Sequence, residues 1–83
     1  MNQKVIVYST SWCEYCHALM DWLDQIHVAY EEKNAETAEN QAFLKQKLGD
    51  DFDGVPVVLL GDIIINGFDR PKIIKALKKV GLK

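Results

Sequence analysis

Short apolar runs and two kinds of periodicity divide this 83-residue chain. Val5, Ile6, Val7 and Tyr8 form a β-branched and aromatic run that stops at Ser9, Thr10 and Ser11, the length and flanks of a buried strand. From Glu14 onward, Tyr15, Ala18, Leu19, Trp22, Leu23 and Ile26 recur at spacings of three and four, which predicts a helix running to about His27. Residues 28–33 alternate weakly and predict a second strand with one polar edge. The next stretch offers Asn34 or Thr37 as a helix N-cap, acidic residues in the first turn, late lysines, and Gly49 past the end. A second helix is expected there.

Residues 50–54 read as a loop. Residues 55–60 are continuously apolar, a strand with Pro56 near its start, where a missing N–H does least harm. Gly61 and Asp62 have hairpin-turn chemistry and separate that strand from Ile63, Ile64 and Ile65, so residues 55–66 should form an antiparallel hairpin. Asp69 and Pro71 then suit the opening of a last helix whose inner face carries Ile73, Ile74, Leu77 and Val80. The order is βαβαββα. The first two strands, joined by a helix, should be parallel with a right-handed crossover. Strands apolar on both faces call for helices on both sides of one sheet.

Composition agrees with a single α/β domain over residues 1–83. Nearly half of the residues (48%) are apolar, enough for a core in a domain that buries only roughly 60–65% of its unfolded surface. A formal net charge of −2 provides no broad positive field for a phosphate backbone, which argues against nucleic acid as a partner. The longest apolar run, residues 55–60, is far short of the ~20 residues of a membrane-spanning helix. The four apolar residues after Lys4 are also fewer than the ~7–15 at the centre of a secretory signal, so a cytoplasmic location is expected. With two cysteines, a multi-disulfide secreted framework is excluded.

Both cysteines lie in S-T-S-W-C-E-Y-C-H, residues 9 to 17, at the junction of the first strand and first helix. In an open α/β sheet, sites gather outside the carboxyl ends of strands. Cys13 should sit at the helix N-terminus, where unpaired N–H groups and the positive dipole end favour a thiolate. Cys16, one turn later on the face of Leu19, Met20 and Leu23, should point inward and be less accessible, close enough to join Cys13. The carboxylate of Glu14 opposes the thiolate and partly offsets the helix end. Trp12 and Tyr15 are either core aromatics or the walls of a groove for a peptide-like ligand. Other readings of the cysteines are a c-type haem attachment at C-E-Y-C-H, a metal site, or two inert core residues. The haem reading lacks an export signal and room for the porphyrin. A mononuclear metal site finds only His17 and His27 as further soft ligands, with His27 about ten positions away. His17 is read as a solvated helix residue. An iron–sulfur cluster shared between two chains and two external thiols stays open, since such clusters take four thiolates.

W-C-E-Y-C at the first helix, G-V-P-V-V before the hairpin and N-G-F-D after it, in this order and at these separations, resemble a glutaredoxin over essentially the whole chain. The resemblance implies the thioredoxin fold, a four-stranded mixed sheet flanked by three helices. It implies a thiol–disulfide oxidoreductase with Cys13 as nucleophile, Cys16 as resolving thiol and Pro56 as a cis proline. No tightly bound cofactor is implied. Glutathione is the implied co-substrate, lying across Trp12, Tyr15, Val55, Pro56, Gly67, Phe68 and Asp69, with Gln41 near its glycine carboxylate. Implied partners are a low-molecular-weight thiol and protein disulfides, for a monomer without a membrane or nucleic-acid role. Glu14 replaces the proline usual between the cysteines, which should alter thiol pKa and reduction potential. Thr10 stands where many members carry Lys or Arg. T-S-W-C-x-Y-C is similar to mycoredoxins, and G-F-D-R-P-K to the small redoxins that reduce ribonucleotide reductase and are recharged by thioredoxin reductase.

Overall fold

A computed structural model describes residues 5–49 and 54–81. The elements follow the expected order: β1 (Val5–Ser9), α1 (Glu14–Gln25), β2 (Glu31–Asn34), α2 (Ala38–Leu48), β3 (Val57–Leu60), β4 (Ile63–Asn66) and α3 (Arg70–Lys79). The sheet runs β2-β1-β3-β4. β1 pairs with β2 in parallel, Ile6 opposite Glu31, and with β3 antiparallel, Val7 opposite Val58. β3 and β4 form the hairpin, Leu60 opposite Ile63. This is the mixed four-stranded sheet with three helices of the thioredoxin fold.

Alternation along β1 divides the core. Val5 and Val7 face α1 and α3, in a cluster with Leu19, Leu23, Val58, Leu60, Ile73 and Leu77. Ile6 and Tyr8 face α2, against Ala35, Phe43, Leu44 and Val57. Tyr8 stacks on Phe43 with ring centroids 5.9 Å apart. Its burial, and then the nearby charge of Glu31, push its phenol above the ordinary value of 10.0.

Three local expectations are corrected, and one choice left open by the sequence is decided. α1 stops at Gln25 rather than near His27, because the chain closes it with a left-handed residue: His27 has φ 60. The Val28 N–H reaches the Leu23 carbonyl at 2.9 Å and the His27 N–H that of Asp24 at 3.1 Å, the paired bonds of a Schellman motif. Val28 is thereby buried beneath the helix end, and β2 begins only at Glu31 rather than at residue 28. Second, Thr37 and not Asn34 caps α2. Its hydroxyl accepts the Asn40 N–H at 3.2 Å, while Asn34 closes β2 and accepts the Glu36 N–H at 2.8 Å. Third, β3 starts at Val57, after a cis Val55–Pro56 bond, rather than at residue 55. Fourth, the helix faces are rotated. In α1 the buried residues are Cys16, Leu19, Met20, Trp22 and Leu23, with Tyr15 and Ala18 in solvent. In α3 they are Ile73, Ala76 and Leu77, while Ile74 is 38% exposed and Val80 half-buried. Of the loop expected at 50–54, residues 50–53 lie outside the described residues. Among the described residues, no helix is long and apolar enough to cross a membrane.

Candidate functional site

β1 ends beneath the start of α1 and so delivers the cysteine segment to the rim of the sheet. The Cys13 N–H bonds the Thr10 carbonyl at 3.3 Å, turning the chain, and Cys13 itself is the N-cap of α1 with extended backbone (φ −88, ψ 108). A cap side chain normally satisfies an unpaired N–H of the first turn. Here that acceptor is sulfur: the Cys16 N–H points at Cys13 Sγ, 3.1 Å away. Cys13 and Cys16 form a disulfide, their Cα atoms 5.2 Å apart, inside the 4.4–6.8 Å range such bonds span.

The expected asymmetry between the two thiols is there, but compressed. Cys16 is fully buried with Leu19, Met20 and Leu23, as its helix face requires. Cys13, expected to be the more accessible of the two, keeps only 5% of its surface, because its partner is rooted in the core and draws it inward. Trp12 and Tyr15 are each 70% exposed, so neither is a core aromatic. Glu14 also points to solvent. The ring of His17, likewise exposed, donates from Nε2 to the Ser11 carbonyl at 3.3 Å and holds the turn before α1.

Beside the cysteines runs an open groove of about 300 Å³, walled by Tyr15, Val55, Pro56, Asn66, Gly67 and Phe68. Five of these were named from sequence. The sixth, Asn66, was not. Its amide ties the two sides of the groove, donating to the Gly54 carbonyl at 2.9 Å and the Pro56 carbonyl at 3.4 Å. A polar residue ending the run I-I-I-N is the one signal that could have found it. The Gly67 N–H bonds the Pro56 carbonyl at 2.8 Å. Gly67 has φ 105, which favours glycine, while a Cβ there would meet nothing within 4 Å.

The remaining candidates stand apart from these walls. Asp69 caps α3, accepting the Lys72 N–H at 3.2 Å. Arg70 lies over both Trp22 (5.6 Å) and the groove residue Phe68 (5.2 Å). Trp12 is beside Cys13 in the chain but is not a wall of the groove. Gln41 is committed elsewhere: its Nε2 donates to the Ala35 carbonyl at 2.8 Å, bracing the loop before α2. Thr10 is buried, and its hydroxyl has no partner among the described residues. No wall of the groove carries a formal charge. Among the described residues no group of three or more His, Cys, Asp or Glu is placed to hold a metal ion.

Chemically, this arrangement joins a reversible two-electron dithiol couple to a shallow, uncharged, peptide-sized channel. The fold recurs in solved structures. A mutant form of the thioredoxin-like protein BC3987 is 27% identical, with 90% of this chain and 95% of that one aligned at a TM-score of 0.73. The NrdH-redoxin of Escherichia coli, described as a glutaredoxin-like protein with a thioredoxin-like activity profile, is 25% identical over 87% and 92% of the two chains, TM-score 0.72. Buckwheat glutaredoxin in complex with glutathione is also 25% identical, over 96% and 81%, TM-score 0.73. Among curated proteins none matches significantly. The Glutaredoxin family profile matches residues 5–65, from β1 through the cysteines to the hairpin. Since that match takes in β1, the cysteine turn and three of the six groove walls in one continuous stretch, the chain belongs to the glutaredoxin family, a family of thiol–disulfide oxidoreductases.

Proposed function

We propose that this protein reduces disulfides between proteins and low-molecular-weight thiols, glutathione foremost, and also protein disulfides, through Cys13 and Cys16. The observation that carries this reading is the Cys13–Cys16 disulfide at the α1 N-terminus, next to a groove of peptide size. In the reduced protein, the Cys13 thiolate attacks the small-thiol sulfur of a mixed disulfide. A Cys13–small-thiol disulfide forms and the client thiolate leaves. A second small-thiol thiolate then attacks the small-thiol sulfur, releasing Cys13 as a thiolate and yielding the oxidised small thiol. On a protein disulfide, Cys13 forms a mixed disulfide with the client. Cys16 then attacks Cys13 Sγ, closes the internal disulfide and releases the second client thiol. The N–H of Cys16 and the helix end stabilise negative charge on Cys13 Sγ each time it leaves.

In this reading Val55 offers backbone groups to the small thiol's peptide, Gly67, Phe68 and Asp69 flank its amino end, and Trp12, Tyr15 and Pro56 line the approach. Gln41 would have to release Ala35 to take part.

A second reading is favoured by one specific observation. Thr10, at the position where glutaredoxins often carry a cation, is a buried hydroxyl, and the groove walls are uncharged. Such a groove offers little to two glutathione carboxylates. It suits a redoxin recharged by thioredoxin reductase, with ribonucleotide reductase as a candidate client. Similarity to the E. coli NrdH-redoxin supports this as much as similarity to the buckwheat enzyme supports the first. The test follows NADPH consumption on a glutathionylated protein, comparing glutathione plus glutathione reductase with thioredoxin reductase alone. Turnover with glutathione is expected; turnover only with thioredoxin reductase would replace the first reading by the second.

A further inference from the structure

Charge is distributed very unevenly along the chain. Helix α3, with the sequence R-P-K-I-I-K-A-L-K-K, holds five of the ten basic residues and no acidic one, in a protein whose net charge is −2. Lys72, Lys75 and Lys79, at helical spacings of three and four, share one stripe of it. They rim an open cleft of about 270 Å³ between α3 and β4 whose floor is Ile63, Ile65 and Ala76. Ile65 and Ala76 are buried and Ile63 half-buried, so the floor is apolar and the rim cationic. None of the three ammonium groups forms an ion pair among the described residues. β4 closes one side of the sheet, pairing with β3 alone among the described residues, so its outer edge offers main-chain hydrogen-bonding groups. The cleft lies toward the Ile63 end of β4, away from Asn66 and Gly67 at the redox groove.

The geometry points to a docking site, separate from the cysteines, for an acidic extended segment of a partner protein: an apolar side chain over Ile63 and Ile65, flanked by carboxylates that meet Lys72, Lys75 and Lys79. Distances fit this occupant. Lys72 and Lys79 are separated by about 10 Å along the helix axis, at 1.5 Å per residue. In a strand laid along β4, side chains two residues before and after a central one share its face and are about 13 Å apart. Lysine stems span the difference while covering apolar surface. Main-chain bonds to the strand edge supply affinity and the lysines supply selectivity for charge.

The probe is the synthetic peptide Ac-Glu-Asp-Leu-Asp-Glu-amide, titrated into the isotopically labelled, oxidised protein and followed by amide chemical shifts. Saturable shifts are expected at Ile63, Ile65, Ala76 and the lysines, weakening as salt is added. The triple variant Lys72→Gln, Lys75→Gln, Lys79→Gln should bind at least about tenfold more weakly. It should reduce hydroxyethyl disulfide at the unaltered rate, since no lysine touches the redox site, and circular dichroism verifies its fold. Shift mapping needs no turnover, so it stands or falls independently of the proposed electron donor. Shifts confined to Tyr15 and Phe68, no saturation, or equal binding by the triple variant would overturn the proposal. So would lysine-dependent retention on anionic phospholipid vesicles that the peptide cannot compete away, which would make the face a membrane contact.

Discussion

Cys13 combines two roles that usually fall to different residues. It is the N-cap that turns the chain into α1, and it is the sulfur of the redox couple. Its cap acceptor is therefore strongest when the sulfur is ionised, which couples helix start and chemistry. Cys16, by contrast, is fully buried in the core. The two substitutions should separate accordingly. Cys16→Ser is expected to keep turnover on glutathionylated protein and to lose most activity on protein disulfides. Cys13→Ser should lose both. Side-by-side assays on a glutathionylated client and on insulin check this, and an active Cys13→Ser protein would remove the nucleophile assignment. Glu14, between the two cysteines in the chain, is exposed to solvent.

Each helix is attached to the sheet with a different security. α1 and α3 each bury several residues in the larger cluster, whereas α2 fully buries only Leu44, with Phe43 and Leu48 half-buried beside it. α2 is therefore the element whose attachment depends most on one side chain. Leu44→Ala removes a completely buried side chain and leaves a cavity against Tyr8 and Val57. A loss of about 2–5 kcal/mol is expected, read as a lower urea midpoint with little change in slope. The redox groove, built from α1 and the β3–β4 segment rather than α2, should retain its activity below the unfolding transition. The periodicity of α2 is also the weakest of the three, which is why its end signals, the cap, the early acidic residues, the late lysines and Gly49, located it.

At the scale of the molecule, the sheet joins Tyr8 to the pH dependence of folding. Its phenol is raised by burial, then by Glu31. A raised acid holds its proton more tightly when folded than when unfolded, so its stabilising contribution is complete below the unfolded value near 10. It is lost as pH climbs from there through the folded value. Stability should therefore fall above about pH 10, and Tyr8→Phe should blunt that fall while sparing the neutral range. Urea titrations of both proteins on either side of pH 10 test it. Equal alkaline losses in the two would assign the effect to other groups, Tyr30 being the other tyrosine raised by burial, with Asp24 as its principal charged neighbour.

Number, type and order of the elements were legible in the sequence because they depend on neighbours within a few residues. The 3–4 spacing of α1, the β-branched runs of β1 and β3, and the caps at Thr37 and Asp69 act locally, and Cys13 with Cys16 at a helix start is likewise a local fact. The family motifs extended this to five of the six groove walls. What only the tertiary structure decided depended on contacts between distant segments. Asn66 became a groove wall by bonding Gly54 and Pro56 across the hairpin entrance, and Gln41 was drawn to Ala35 instead of the groove. The start of β2 was moved by the left-handed closure at His27, where Val28 gains more beneath α1 than at a sheet edge. Cys13, legible as a helix cap, was sheltered by a disulfide partner rooted in the core. Local periodicity fixes which face of an element is apolar. The degree of exposure of any one residue on it waits for the packing of the others.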